Sequence, residues 1–257
     1  MSLGQSTGIP AYQHPSALQK DQIHLWRVDL DGLSVPPQQC LGVLSVDERE
    51  RAERFRFELH RQRFVRCRYL LRTLLAGYIG TQAQCVTFVY SSYGKPNLGG
   101  EHQSSSIRFN VSHSDRMGLL GFTLGRQIGV DIEAIRQDID VEQISARFFS
   151  EVERCALARL SQELKVPAFF RCWTRKEAFI KAKGEGLSLP LADFDVSIES
   201  TGARITGTRP DPEEARRWQL ISPVENHDYA VALAFERTGE EPVLHQYDLG
   251  DGTVLAP

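Results

Sequence analysis

Gly129-Val130-Asp131-Ile132-Glu133 reads as a β-strand, and Trp173-Thr174-Arg175-Lys176-Glu177-Ala178, running on to Lys181, reads as a helix about 40 residues later. Side chains alternate faces along a strand, so Asp131 and Glu133 point the same way, with Cα atoms about 6.5 Å apart. Val130 and Ile132 then point into a core, and burying them fixes the register. On the helix, Phe169, Trp173, Glu177 and Lys181 lie four apart and run up one side. Phe169, Phe170 and Trp173 read as core, while Glu177 and Lys181 emerge at its edge. Mg²⁺ typically takes one or two carboxylates plus substrate phosphates and waters, which Asp131 and Glu133 would suit, and a third carboxylate at Glu177 would complete a set of oxygen ligands. Lys181 would face whatever phosphate that ion holds. Each motif alone is equally consistent with a solvated strand face or an ordinary Glu–Lys helix pair worth about 0.2–0.5 kcal/mol.

A shift of 105 residues overlays two helical regions without gaps. Ser45, Glu48 and Arg49 fall on Ser150, Glu153 and Arg154, and Phe64, Arg66 and Cys67 fall on Phe169, Arg171 and Cys172. The predicted elements repeat as well. The first set is strand 23–28, helices 45–54 and 61–78, then strands 87–90, 107–111 and 117–123. The second is strand 128–132, helices 150–160 and 167–183, then strands 194–198, 218–223 and 229–235. The fold expected is α+β, with two similar halves related by a pseudo-twofold axis. A leader over 1–19 precedes an N-terminal half over 20–124, a C-terminal half over 125–240 and a tail over 241–257. The same shift sets Glu177 opposite Arg72, so the second half would supply acids and the first half bases. A cleft between such halves is a favoured ligand site.

Composition narrows the class. The chain has 257 residues, 41% of them hydrophobic, enough for one large core or two small ones. Its net charge of −3 argues against a nucleic-acid binder. Residues 49–72 nevertheless hold nine arginines. Most would be solvated, but a few facing a cleft would suit phosphate, which Arg grips bidentately. The five cysteines, Cys40, Cys67, Cys85, Cys155 and Cys172, show no zinc spacing and read as buried thiols in a reducing compartment. The first 19 residues lack a signal-peptide pattern, and no apolar run is long enough to span a membrane. A cytoplasmic protein, with no nucleic acid or membrane as partner, is expected.

The blocks Gly-Val-Asp-Ile-Glu, Phe170-x-x-Trp173-x-x-Lys176-Glu177-Ala178-x-x-Lys181 and Gly184-x-Gly186-Leu187-Ser188 occur in this order. Together they resemble the signature of 4′-phosphopantetheinyl transferases, of the large pseudo-dimeric type that primes peptide and polyketide synthases. Tyr93-Gly94-Lys95-Pro96 and Phe109-Asn110-Val111-Ser112-His113-Ser114 extend the resemblance. It implies that Lys95, Ser112 and His113 contact coenzyme A, and that Arg63 and Arg51 hold its nucleotide phosphate. It further implies a monomer that moves phosphopantetheine from coenzyme A to a serine of an acyl or peptidyl carrier protein, with Mg²⁺ and release of 3′,5′-ADP. Glu177 and Lys181 would be its catalytic residues. From the residues alone, His113 is equally a structural cap after Ser112, and Lys95 an exposed turn lysine. The stretch Val141–Phe149 could dock an acidic carrier helix or pack in the core. The alternatives are a generic Mg²⁺-dependent nucleotide hydrolase or kinase and a non-catalytic binder of coenzyme A or a carrier. The first lacks a phosphate-binding Gly-rich loop. The second would be favoured by loss of an acid, yet all three acids are present.

Overall fold

The structure, a computed structural model, describes residues 17–223 and 227–249. Residues 1–16 of the expected leader and 250–257 of the expected tail lie outside the described residues. The first half holds β1 (Gln22–Asp29), α1 (Pro37–Val43), α2 (Val46–Glu53), α3 (Glu58–Ile79), β2 (Phe88–Tyr90), β3 (Pro96–Leu98), β4 (Ile107–Ser114) and β5 (Met117–Leu124). The second holds β6 (Ile128–Ala134), α4 (Val141–Phe148), α5 (Glu151–Ala158), α6 (Gln162–Lys183), β7 (Phe194–Val196), β8 (Ile205–Thr208), β9 (Trp218–Ile221) and β10 (Tyr229–Glu236). A last strand, β11 (Val243–Leu249), follows.

Both halves start each helix pair with the same device. Ser45 and Glu48 form a capping box at α2, and Ser150 and Glu153 form one at α5. In each case the acid is also buried and reaches the long helix. Glu48 accepts from Arg68 Nε and Arg72 Nε, both at 2.6 Å. Glu153 lies 2.8 Å from Lys176 Nζ and also accepts from the Val196 amide at 2.8 Å. Burying an acid this deeply is tolerable only because its oxygens are all satisfied. Both long helices run 22 residues and end at a glycine in the left-handed region, Gly80 and Gly184.

These landmarks correct the gapless overlay. The α2–α3 connection has one more residue than the α5–α6 connection, so the long helices match at a shift of 104 rather than 105. Arg72 therefore corresponds to Lys176, the partner of the equivalent buried acid, and Glu177 falls opposite Thr73. Helix α6 also begins earlier than expected, at Gln162, with Ser161 at its N-cap position and Pro167 inside the helix.

The strand order repeats too. The first sheet runs β11-β1-β5-β4 and the second β6-β10-β9, with every pair antiparallel except β1–β11. In the first sheet β11 pairs parallel with β1, Gln22 opposite Val243 through Val28 opposite Leu249. Part of the expected tail is thus a strand of the first half's sheet. Three cores result. One packs α3 on the first sheet, and one packs α6 on the second. The third lies between the sheets and joins Ile23, Leu25 and Leu119 to Ile128, Val130, Ile132 and Val231.

Candidate active site

The site forms where α6 crosses β6. Gly129 makes the crossing possible: a Cβ there would stand 2.1 Å from the Ala178 carbonyl oxygen and 2.2 Å from the Ala182 amide nitrogen. With the helix backbone this close, Asp131, the next residue on the same face of β6, meets Lys181 of α6. Asp131 is buried, and its Oδ1 accepts from Lys181 Nζ at 2.6 Å and Ser112 Oγ at 2.8 Å. Lys181 Nζ also donates to Ser112 Oγ at 3.0 Å. Glu133 accepts from Ser114 Oγ at 2.7 Å. Ser112 and Ser114 come from β4, the edge strand of the other sheet, so each half supplies one wall.

The electrostatics report how close the acids are. Burial, then the neighbouring Asp131 and Glu133 charges, push Glu177 up to about 7, against the opposing pull of Lys181. Burial also raises Glu133, with Asp131 adding to the shift. Asp131 is raised by burial, against the pull of Lys181 and its hydrogen-bond donors. Burial would lower Lys181, but Asp131, then Glu177 and Glu133, hold it above the usual lysine value. Asp131 Oδ2 is buried with no hydrogen-bond partner. A buried carboxylate oxygen left bare is costly, and a cation would relieve it. The expected ligand set is not preassembled, however. Among the described residues, no three His, Cys, Asp or Glu side chains converge tightly enough to hold a metal ion, and the Lys181 ammonium sits on Asp131 instead.

Basic groups face this acidic wall. His113, near the end of β4 and with its side chain open to solvent, is held below the ordinary imidazole value, first by partial desolvation and then by the charges of Lys181, Arg51, Arg63 and His60. Lys181, Arg51 and Arg63 are thus within electrostatic reach of His113. Arg51 lies over the Phe64 ring, 5.2 Å from its centroid. Arg63 is buried and already paired, with Asp31 at 2.6 Å and Asp115 at 2.7 Å. A cleft of about 1060 Å³ opens alongside, lined by His60, Ser114, Asp115, Arg116 and Ile132 among others.

Three further points are decided by contacts. Lys95 does not join these basic groups. Its Nζ donates to the carbonyls of Ile128 and Ala182, both at 3.0 Å, at the opposite end of β6 from Glu133. The last carbonyls of a helix have no partner within it, which is why an ammonium settles there. Burial, with Arg108 adding to it, drops Lys95 to about 8. The stretch Val141–Phe149 is not an open docking face. Phe148 packs edge-on to Trp173 at 5.6 Å, and the buried Phe149 stacks on Phe169 at 5.2 Å. Finally, Cys85 and Cys155 are exposed, although Cys40, Cys67 and Cys172 are buried as expected. Phe169 and Phe170 are core, and Trp173 is partly buried against it. Ser114 is the site residue that the sequence reading did not single out. Its spacing of two from Ser112 on a strand was the available signal.

The family model for the 4′-phosphopantetheinyl transferase superfamily matches residues 127–234, and the model for the 4′-phosphopantetheinyl transferase N-terminal region matches 37–121. The 4′-phosphopantetheinyl transferase HetI of Nostoc is 38% identical over 95% of this chain and 99% of its own. The chain belongs to the 4′-phosphopantetheinyl transferase superfamily. The Sfp transferase of Bacillus subtilis is 31% identical over 64% of this chain and 71% of its own. Among solved structures, holo-[acyl-carrier-protein] synthase of Thermotoga maritima aligns with 44% of this chain and 64% of its own, at 20% identity and a TM-score of 0.36. This transferase accordingly moves a phosphopantetheine group to carrier proteins. Among its described residues, no helix is long and apolar enough to cross a membrane.

Proposed function

We propose that the donor is coenzyme A, that the acceptor is a carrier-protein serine, and that Asp131, Glu133 and Glu177 hold Mg²⁺ during transfer. The observation that carries this reading is one acidic wall at the junction of the halves, where Ser112 and Ser114 of the first half bond Asp131 and Glu133 of the second and Asp131 Oδ2 is left buried without a partner. Bound there, Mg²⁺ would neutralise charge on the pyrophosphate oxygens. Transfer of this kind needs a positioned nucleophile and charge stabilisation more than covalent help.

The protein's own groups divide the remaining work. The serine hydroxyl attacks the pyrophosphate phosphorus that bears the pantetheine arm, and the bond to the departing 3′,5′-ADP breaks. Glu177 takes the serine proton, directly or through a water, because a base needs only hydrogen-bond reach of the proton it removes. Lys181 gives the leaving oxygen a positive partner, and Ser112 and His113 contact the phosphates. Arg51 and Arg63 draw in the nucleotide phosphate, with Arg63 held in place by Asp31 and Asp115. Because both walls belong to one chain, a monomer suffices.

The test is the mass of a carrier protein after incubation with coenzyme A and Mg²⁺. The wild type should add one phosphopantetheine, and Asp131→Ala and Glu177→Ala should add none while keeping the wild-type circular dichroism. Full activity in either variant would remove the site assignment.

A further inference from the structure

β4 and β6 are the facing edges of two different sheets, and among the described residues no backbone ladder joins them. A strand edge presents free amides that must find partners when buried. Here side chains supply them. Asn110 Oδ1 accepts from the Val130 amide at 2.9 Å. Ser114 Oγ accepts from the Ala134 amide at 3.1 Å. The anchors stand four residues apart on both strands, 110 to 114 and 130 to 134, so they bracket Asp131 and Glu133. Alternation along β4 sets Asn110, Ser112 and Ser114 on one face. A serine hydroxyl has one proton to give. Ser114 accepts from Ala134, so that proton goes to Glu133 Oε2 at 2.7 Å and fixes where the carboxylate points.

We propose that Asn110 and Ser114 are positioning residues, a side-chain clamp across the two sheet edges that sets the height of β6 and aims the Glu133 carboxylate. Asn110 fixes one end of the acidic pair and is itself buried. Ser114 fixes the other end and couples it to the acid directly. The aiming of Glu133 rests on the metal reading above, whereas the clamp itself does not.

Full-length Ser114→Ala, Ser114→Thr and Asn110→Ala separate these statements. Amide hydrogen exchange reports the clamp. Ser114→Ala should speed exchange at Ala134 at least tenfold, and Asn110→Ala should do the same at Val130. Mn²⁺ affinity by calorimetry, with kcat and KM for coenzyme A, reports the aim. Groups that orient metal ligands typically govern affinity or activity by about 10–100-fold. Ser114→Ala should fall in that range, losing more in kcat than in KM, and Ser114→Thr should recover most of the loss because it keeps the hydroxyl. Should the alanine variant not fold, Ser114→Cys keeps the volume with a weak acceptor and should show the same losses. Unchanged exchange at both amides would overturn the clamp. A lower Tm with wild-type kcat and Mn²⁺ affinity, or a threonine variant no better than alanine, would overturn the aiming role. If the wild type fails to bind Mn²⁺, the metal reading falls, while the exchange measurement still decides the clamp.

Discussion

The first and second halves build one scaffold and fill its central face differently. On β6 that face carries Gly129, Asp131 and Glu133, and at the corresponding positions of β1 it carries His24, Trp26 and Val28. The first set admits a helix backbone at its glycine and then presents acids. The second is packed solid. Trp26 stacks on Tyr247 at 4.3 Å, and both His24 and Trp26 bond to the Tyr78 hydroxyl, at 2.8 and 3.1 Å. The opposite face, by contrast, is alike in both strands, with Ile23 and Leu25 matching Ile128 and Val130 in the shared core. The comparison teaches that the fold requires the apolar face and the capped helix pair, while the acids answer to chemistry alone.

The comparison can be broken most severely at the crossing of α6 and β6. Gly129→Ala should abolish transfer, because its Cβ would meet helix backbone rather than a movable side chain. His24, at the matching position, sits in a half where the helix stands off the strand, and His24→Ala should leave the acidic wall active. Carrier-protein mass shift, read beside thermal melting, distinguishes the two. The buried acids come next. Glu48→Ala and Glu153→Ala should each cost about 3–5 kcal/mol in urea unfolding, since each strands buried cations. A large loss in only one half would show that the repeated device is not equivalent.

A smaller effect sharpens the contrast through pH. His24 is held down to about 4 by burial, with His245 adding to it. The unfolded state then binds more protons than the folded state between about pH 4 and 6.5, so stability is lost as pH falls through that window, by about 3 kcal/mol at most. Glu177 runs the other way. Its folded value of about 7 lies above the unfolded 4.5, so metal-free stability is lost as pH rises from about 4.5 to 7. Unfolding titrations of Glu177→Gln and His24→Gln should each flatten one of these opposing slopes and leave the other. The smallest effect should come from Lys95→Met, which removes a tie between the halves without touching the acids. A lower Tm with nearly unchanged kcat is expected, and a kcat collapse at unchanged Tm would return Lys95 to the ligand site.

Much of this was legible in the residues because it is local. The capping serines three residues before their acids, the alternation in Gly-Val-Asp-Ile-Glu and the four-residue spacing of Glu177 and Lys181 all act over one or two turns. What stayed hidden depends on distant partners. Nothing near Lys95 announces that its ammonium will find the ends of β6 and α6. Val243–Leu249 has an ordinary strand composition, and its partner lies more than 200 residues away. The one-residue difference between the two helix connections was masked by chance identities in arginine-rich helices, and the helix ends at Gly80 and Gly184, with the buried Glu48–Arg72 and Glu153–Lys176 pairs, reveal the true match. The apolar residues of Val141–Phe149 carry no mark telling a docking face from a packed one, because both want the same side chains.

The parallel pairing of β11 with β1 has a consequence for synthesis. The first sheet needs a strand that ends at residue 249, and that strand lies beside the one that begins at residue 22. On the ribosome, β1 therefore waits with one edge open until nearly the whole domain has been translated. Helix α6 and the second sheet can close before it does, so the half that emerges second is able to finish first.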